Sequence, residues 1–504
     1  MGLYDYNIYG VIKRNARVYK DRIALISESQ KINYRQFLEY IDRLACGLSG
    51  AGLKKGDRIA ILAQNSLEYV YLYGVAAKVG AIMIPINLRL AAEEIDYIIG
   101  DVDPKFLFVG AEFHTIMTPL ISKYCFQDNC YSMGQASKDF ASFNDLMNKN
   151  GICPEMDVNF DDEYFIVYTA AVYGKPRGAT ISHQNMIISN LQLMYRWNLT
   201  KEDTHILLLP LYHSFGLCIT LSVMQAGGSN IITPKFDTDL ALKKIQEDRV
   251  TLFGEFPPIL DSLLDKAQEG EHDLSSLRIV LGLDRPDTIK RFERMTGATF
   301  WTAYAQAETT SFVSMAPYFE RPGSAGTPSF AFEVEIMDDN GNFLETGKAG
   351  EIVVRGPMVF KGYLNLPIDN EYTFRDGWHH TGDIGRFDED GYLWYEGRKA
   401  EKELIKSGGE NVYPAEVEKV VLEHPLIQEV SVIGVPDKQW GEAIKAICVL
   451  RNGESLQEVE LIEFVGKRIA RFKRPKYIVF VQDLPKTKDG SIDRQKIKVI
   501  HGKA

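Results

Sequence analysis

Four segments of this chain combine residue types that can do chemistry. Residues 168–178 read Tyr-Thr-Ala-Ala-Val-Tyr-Gly-Lys-Pro-Arg-Gly. Glycine lets backbone N–H groups converge on an anion, and Lys175 and Arg177 add positive charge between Gly174 and Gly178, which suits a phosphate. The stretch Ala170 to Tyr173 is mostly apolar, so the loop has few side-chain donors and little backbone freedom. Thr381-Gly382-Asp383 and Gly397-Arg398 flank Asp390-Gly391, a common hairpin turn, and offer a carboxylate acceptor and a guanidinium donor. Leu209-Pro210-Leu211-Tyr212-His213-Ser214-Phe215-Gly216 sets a histidine among aromatic residues, either as a reactive group or as a buried, hydrogen-bonded one. Gly408 and Gly409, inside the stretch Lys402 to Glu418, permit close approach of backbone to a ligand.

The elements that must position these segments alternate. Between Tyr34 and Leu48, apolar residues recur at Phe37, Ile41, Leu44 and Leu48, a helical stripe closed by Gly50 and Gly52. A strand is expected at Ile59 to Leu62, a helix beginning at Asn65 with Glu68 three residues on, and another apolar strand from Ala81 to Ile86. This alternation predicts layered α/β structure. Residues 323–363 are rich in glycine and turn signals around runs such as Glu351-Ile352-Val353-Val354, and predict a β-rich region. After Gly397 a charged connector, Lys399 to Lys406, leads to a helix over Ala415 to His424. Strands follow at Val430 to Val435, Ala446 to Leu450 and Tyr477 to Val481, with a helical stretch near Val459 to Ala470. The expected organisation is a large N-terminal domain over 1–398, a hinge over 399–406 and a small mobile α+β domain over 407–504.

A chain of 504 residues exceeds what one core supports, which fits two or more domains. Its 45% hydrophobic and 25% charged composition is that of an ordinary globular protein. The net charge of −11 argues against a general nucleic-acid or anionic-membrane surface, while leaving room for a local basic pocket. The six cysteines, Cys46, Cys125, Cys130, Cys153, Cys218 and Cys448, form no metal-binding spacing and read as reduced thiols. No run approaches the roughly 18 apolar residues of a membrane span, and the N-terminus lacks a basic-then-apolar leader, so a cytoplasmic enzyme is expected.

Taken in order over residues 20–495, these segments resemble the adenylate-forming (AMP-dependent) synthetase and ligase superfamily, and within it the acyl-CoA synthetases. Members of that family let a carboxylate attack the α-phosphate of ATP to give an acyl-adenylate and pyrophosphate; a thiol, usually coenzyme A, then displaces AMP. The family's phosphate loop runs Y-T-S-G-T-T-G-x-P-K-G. Tyr168, Thr169, Gly174, Pro176 and Gly178 agree with it, Arg177 replaces the usual lysine, and Ala170, Ala171, Val172 and Tyr173 replace Ser-Gly-Thr-Thr. Tyr304-Ala305-Gln306-Ala307-Glu308 resembles Y-G-x-T-E. The resemblance implies that Tyr304 stacks on adenine and that Glu308 presents a hard oxygen to Mg²⁺, while Ala307 lacks the usual threonine hydroxyl. The bland alternative makes Tyr304 a core residue and Glu308 a solvated acid.

By the same resemblance Asp383 and Arg398 hold the ribose, and Thr169, Gly174, Lys175, Arg177, Gly178, Gly282, Ala305 and Gln306 join them around the nucleotide. His213 borders the acyl carboxylate, and its presence argues against amino-acid activation, because the family's peptide-synthetase domains carry aspartate there. Tyr212, Leu217, Glu255 and Phe256 are acyl-pocket candidates, with Glu255 either reading a polar substrate or facing water. Ser407, Gly408, Gly409 and Glu410 match the thioester-forming loop, and Lys402 or Glu403 the hinge. Leu484 to Arg494 resembles L-P-K-T-x-x-G-K-[IV]-x-R, except that Ser491 stands where the family has its adenylation lysine; Lys488, or Lys486, is the candidate replacement. A fixed ammonium at developing negative charge contributes several kcal/mol, so this change predicts a weakened first half-reaction.

The departures concentrate on phosphate handling, whereas the ribose and thioester segments are intact. The preferred expectation is an AMP-forming carboxylic acid–CoA ligase with His213, Glu308 and Lys488 as catalytic residues, using ATP or acyl-AMP, Mg²⁺ and coenzyme A. Two alternatives stay open: an enzyme that works from preformed acyl-adenylate or runs toward ATP, and a non-catalytic nucleotide- or acyl-CoA-binding module. No nucleic-acid partner is expected, and a homodimer remains open.

Overall fold

The computed structural model describes the chain except residues 1–4, 125, 127–128, 149–155, 170–175, 271, 400–403, 409, 438–439, 452–453, 488–491 and 504. The stripe at Phe37, Ile41, Leu44 and Leu48 is buried along helix Tyr34–Gly50. Asn33 starts the helix: its side chain accepts from the Gln36 N–H while Gln36 returns to the Asn33 N–H, both at 2.9 Å. Helix Leu67–Val79 follows, capped by Ser66 rather than by Asn65. Asn65 is diverted because its amide is buried in tertiary contacts described below.

Among the described residues, one sheet has eight strands in the order Gly362–Tyr363, Arg177–Ser182, Glu163–Thr169, Ile82–Pro85, Arg58–Leu62, Phe106–Val109, Cys130–Ser132 and Ala141–Ser142. A second has nine strands, and its central parallel run places Thr204–Leu207, Leu252–Glu255, Ile279–Gly282 and Thr299–Ala305 side by side. Helix Ser214–Ala226 is buried along almost its whole length because it lies between these sheets. Leu217 and Leu221 pack with Phe165 and Ile181 of the first sheet, whereas Ile219 and Val223 pack with Leu252 and Ile279 of the second. An all-round apolar helix has no face to offer solvent, so it becomes a central layer.

The expected β-rich region supplies strands Glu333–Met337 and Gly350–Arg355, which continue into an antiparallel sheet with His379–Phe387 and Leu393–Arg398. Beyond it, strands Ile405–Ser407, Glu410–Val412, Ile427–Asp437, Gly441–Leu450 and Tyr477–Val481 pack with helices Pro414–Leu422, Glu458–Gly466 and Arg494–His501. The helix expected to reach Ala470 stops at Gly466, and Arg471–Lys473 forms a 3-10 turn ahead of Pro475. The architecture is therefore α/β, with a large N-terminal part of layered sheets and a smaller α+β C-terminal part. No helix among the described residues is long and apolar enough to cross a membrane.

Candidate active site

The hairpin formed by strands His379–Phe387 and Leu393–Arg398 pairs Asp383 with Arg398. Gly382 sits at φ +71°, a left-handed conformation that side-chain-bearing residues rarely adopt, and this turns Asp383 inward. Asp383 is 1% exposed. Its Oδ2 accepts from the Tyr304 hydroxyl at 2.7 Å and from Gln306 Nε2 at 2.5 Å. Its Oδ1 lies 2.8 Å from Arg398 Nε, an ion pair whose alignment is too poor for a hydrogen bond. Arg398 Nη1 donates to the Tyr413 hydroxyl at 3.1 Å, and the Tyr395 ring stacks near Tyr304 with centroids 6.1 Å apart. Tyr304 is thus buried yet joined to the carboxylate.

Glu351, which sequence reasoning treated only as part of a strand, holds this hairpin from behind. It accepts from the Gly382 N–H at 2.9 Å and from Arg375 Nη2 at 3.1 Å. Its carboxylate also faces His380 Nδ1 and Lys399 Nζ, each at 3.0 Å. Burial works against its charge, but His380 and Lys399 outweigh burial and hold the pKa down at about 2.

Glu308 lies in the short turn Ala307–Thr309 and is buried. Its Oε1 accepts from the Tyr363 hydroxyl at 2.6 Å. Burial raises its carboxyl, but Tyr363, Arg177 and His379 more than compensate and keep it below the ordinary range, hence ionised. Arg177 stacks its guanidinium on the Tyr363 ring, 4.0 Å from the centroid, and pairs with Asp369 at 3.2 Å. This cation is already engaged beside Glu308. Thr169 and Gly178 lie on the two strands leading into and out of the phosphate segment, where Thr169 Oγ1 donates to the Arg177 carbonyl at 3.3 Å.

His213 is the residue from which the central helix Ser214–Ala226 begins. Its Nε2 lies 3.3 Å from Oε1 of Glu410, which belongs to the C-terminal hairpin Ile405–Ser407 and Glu410–Val412. Asn87 Nδ2 donates to Glu410 Oε2 at 3.1 Å, and Arg89 Nη1 lies 3.3 Å from Oε1. Burial alone raises the Glu410 carboxyl, yet His213, Arg89 and Asn87 bring it below the usual carboxylate range. Ser407 and Gly408 lie on the same hairpin turn. Tyr212 is buried with its ring 4.6 Å from His213, and Leu217 is buried on the adjoining helix.

Asn65 anchors the His213 segment. Its Nδ2 donates to the Leu209 and Thr233 carbonyls at 3.1 Å, and its Oδ1 accepts from the Leu211 N–H at 2.8 Å. The Asn–Glu spacing read as a helix start concealed this role.

The acyl-pocket candidates fall on different faces of the second sheet. Gly254 faces Phe215 and Ile219 of the central helix, and strand alternation turns Glu255 to the opposite sheet face. There the fully buried Glu255 lies against Gly282, in space that a Cβ on that glycine would fill. Burial, and then Asp284, raise its carboxyl well above the ordinary value. Glu255 is therefore neither in water nor on the face of the central helix. Phe256 meets Phe215 edge-on at 5.3 Å; Ala305 ends the strand that carries Tyr304, and Gln306 follows it ahead of the turn Ala307–Thr309. Gly174, Lys175, Lys402, Glu403, Gly409, Lys488 and Ser491 lie outside the described residues.

Comparison with known proteins shows the family. Residues 12–364 match the family described as AMP-binding enzyme, and residues 416–491 match the AMP-binding enzyme C-terminal domain. The indoleacetate–CoA ligase of Aromatoleum aromaticum is 32% identical over 97% of this chain and 96% of its own. The long-chain-fatty-acid–CoA ligase FadD13 of Mycobacterium tuberculosis is 31% identical over 96% of this chain and 97% of its own. The o-succinylbenzoate CoA synthetase MenE of Bacillus subtilis superposes in two forms. A double mutant bound to the product analogue OSB-NCoA gives a TM-score of 0.86 at 29% identity, covering 98% of both chains. The same enzyme with the acyl-adenylate OSB-AMP gives 0.71 at 28% identity, covering 98% of this chain and 99% of that one. This chain belongs to the AMP-binding enzyme family and is an AMP-forming acid–thiol ligase of the acyl-CoA synthetase type.

Proposed function

We propose that the arrangement described here is the one that forms the thioester, with Asp383, Tyr304, Gln306 and Arg398 holding the AMP portion and His213 and Glu410 framing the entry of coenzyme A. The observation that carries this reading is the placement of Glu410, from the C-terminal hairpin, 3.3 Å from His213 at the head of the central helix. The higher TM-score with MenE bound to a CoA-type product analogue, 0.86, than with MenE bound to the acyl-adenylate, 0.71, supports it. In this step the thiol gives up its proton to solvent, its sulfur bonds to the acyl carbon, the bond from that carbon to the adenylate oxygen breaks, and AMP leaves with the bonding electron pair. Asp383 and Arg398 keep the leaving nucleotide in place; Glu410 fixes the orientation of the His213 ring. The N-terminal domain ends near Arg398 and the connector 399–406 is the hinge.

The residues present fit a magnesium ion in one respect. Glu308 is an ionised, buried hard-oxygen donor, whereas no group of three His, Cys, Asp or Glu among the described residues could hold a metal. Glu308 would therefore share the ion with phosphate oxygens, where the ion would neutralise phosphate charge. The enzyme is proposed to act in the cytoplasm.

A second reading is favoured by Arg177, whose engagement with Tyr363 and Asp369 limits its use on a triphosphate. On that reading the first half-reaction is slow and the enzyme works best from preformed acyl-adenylate. Both readings are tested by a thioester-formation screen across short, aromatic, alicyclic and long-chain acids, with ATP and with matched acyl-adenylates. Efficient ATP-dependent turnover supports the first. Turnover from acyl-adenylate alone, rescued for ATP by Ser491→Lys, supports the second. Nucleotide binding without thioester formation overturns both.

A further inference from the structure

Lys473, in the turn Arg471–Lys473, is 2% exposed although it carries a full ammonium. Its Nζ meets two carboxylates. One is Glu416 of helix Pro414–Leu422, at 2.6 Å and within the C-terminal part; the other is Glu94 of helix Ala92–Val102, in the N-terminal part. Glu94 Oε2 also accepts from the Ala470 N–H at 3.0 Å and from the Ala91 N–H at 2.8 Å. The side chains of Glu94 and Glu416 are 10% and 8% exposed, so the cluster is a dry charged contact and not a solvated surface pair.

The same N-terminal strip thus grips the C-terminal part twice. Asn87 and Arg89 hold Glu410, while Glu94 holds Lys473 and Ala470. One contact between two bodies permits swivelling; two separated contacts fix an orientation. If the parts separate, Lys473 keeps Glu416 as a neutral pair, and Glu94 returns to water in the first turn of its helix, where the backbone dipole favours a negative charge. Neither half is left with a stranded buried ion, so the contact can be made and broken reversibly.

We propose that Glu94 and Lys473 form an interdomain latch, a pair of positioning residues that holds the C-terminal part where its Ser407–Glu410 turn reaches His213, and so serves thioester formation but not adenylate formation. The assignment of the served step rests on the ligase reading above; the latch itself does not. Two measurements on the full chain separate them. Spin labels at the exposed positions Tyr195→Cys and Val499→Cys report the interdomain distance without any substrate. Glu94→Gln, which retains an oxygen for the Ala91 cap, is expected to add a second, longer distance population. With an acid accepted in the screen, Glu94→Gln is expected to slow conversion of acyl-adenylate plus coenzyme A by roughly tenfold or more, while ATP–pyrophosphate exchange stays at the wild-type rate. Lys473→Met should reproduce both effects. An unchanged distance distribution in both variants overturns the latch even if no acid is ever turned over. A shifted distribution with equal slowing of both half-reactions overturns its selective role.

Discussion

The Asp383 hairpin and the seam at His213 are both built around a buried carboxylate, but they draw their partners differently. Asp383 is surrounded by Tyr304, Gln306 and Arg398, all supplied by residues 304–398. Glu410 is supplied by the C-terminal part, and its partners His213, Asn87 and Arg89 all come from the N-terminal part. The Asp383 carboxylate finds its partners within one body, although Arg398 also reaches Tyr413 of the C-terminal part. The seam at Glu410 exists only while the two parts are docked. On the proposed function, nucleotide binding rests mainly on the large domain and the transfer step on an interdomain contact.

Breaking the hairpin should have the largest effect. Asp383→Ala removes the acceptor of two side-chain donors and leaves Arg398 without its counter-ion, so AMP affinity should fall by roughly 2–4 kcal/mol in a calorimetric titration. Unchanged affinity would remove Asp383 from the nucleotide site. On the other side of the comparison, Asn65→Ala deletes three buried hydrogen bonds, two of which hold the chain on either side of Pro210 while the third ties it to Thr233. Denaturant unfolding should show a loss of about 2 kcal/mol, with slower thioester formation because His213 is no longer anchored.

Glu351 sharpens the comparison through pH. Its pKa is depressed from 4.5 to about 2 in the folded chain, so the stability it contributes is present above its unfolded value and is lost as pH falls toward 2. Glu351→Gln should abolish that part of the acid limb, on the order of 2 kcal/mol, in melts compared between pH 7 and the acid range. Glu255 has the opposite sign. Its carboxyl is raised by burial, so the folded state binds the extra proton and loses stability as pH climbs above the ordinary carboxylate value. Glu255→Gln should give a small rise in melting temperature at neutral pH, shrinking under acid conditions; a fall at neutral pH would mean that the carboxylate form is needed.

Much of this was legible in the sequence, for local reasons. The stripe from Phe37 to Leu48 and the run Tyr477 to Val481 became the expected helix and strand because their periodicity is set within a few residues. The Thr381-Gly382-Asp383 and Gly397-Arg398 pair was readable because a hairpin fixes its spacing. Glu351, Asn65 and Lys473 were not. Glu351 stands at the head of the apolar strand run Ile352-Val353-Val354 with nothing local to mark it, and Asn65 looks like a helix cap. Lys473 is one cation in Arg471-Phe472-Lys473-Arg474 and has nothing local to distinguish it from its neighbours. Their partners lie far away in the chain, and a buried charge acquires meaning only from the groups that fold around it.

The central contrast is tested most directly by measuring both half-reactions in Glu410→Ala beside wild type, with an acid found in the screen. The account predicts that thioester formation from acyl-adenylate falls steeply while ATP–pyrophosphate exchange and AMP affinity are unchanged. Loss of exchange or of AMP binding to the same extent as the thioester step would contradict it, because Glu410 would then belong to the nucleotide site and not to the docking seam.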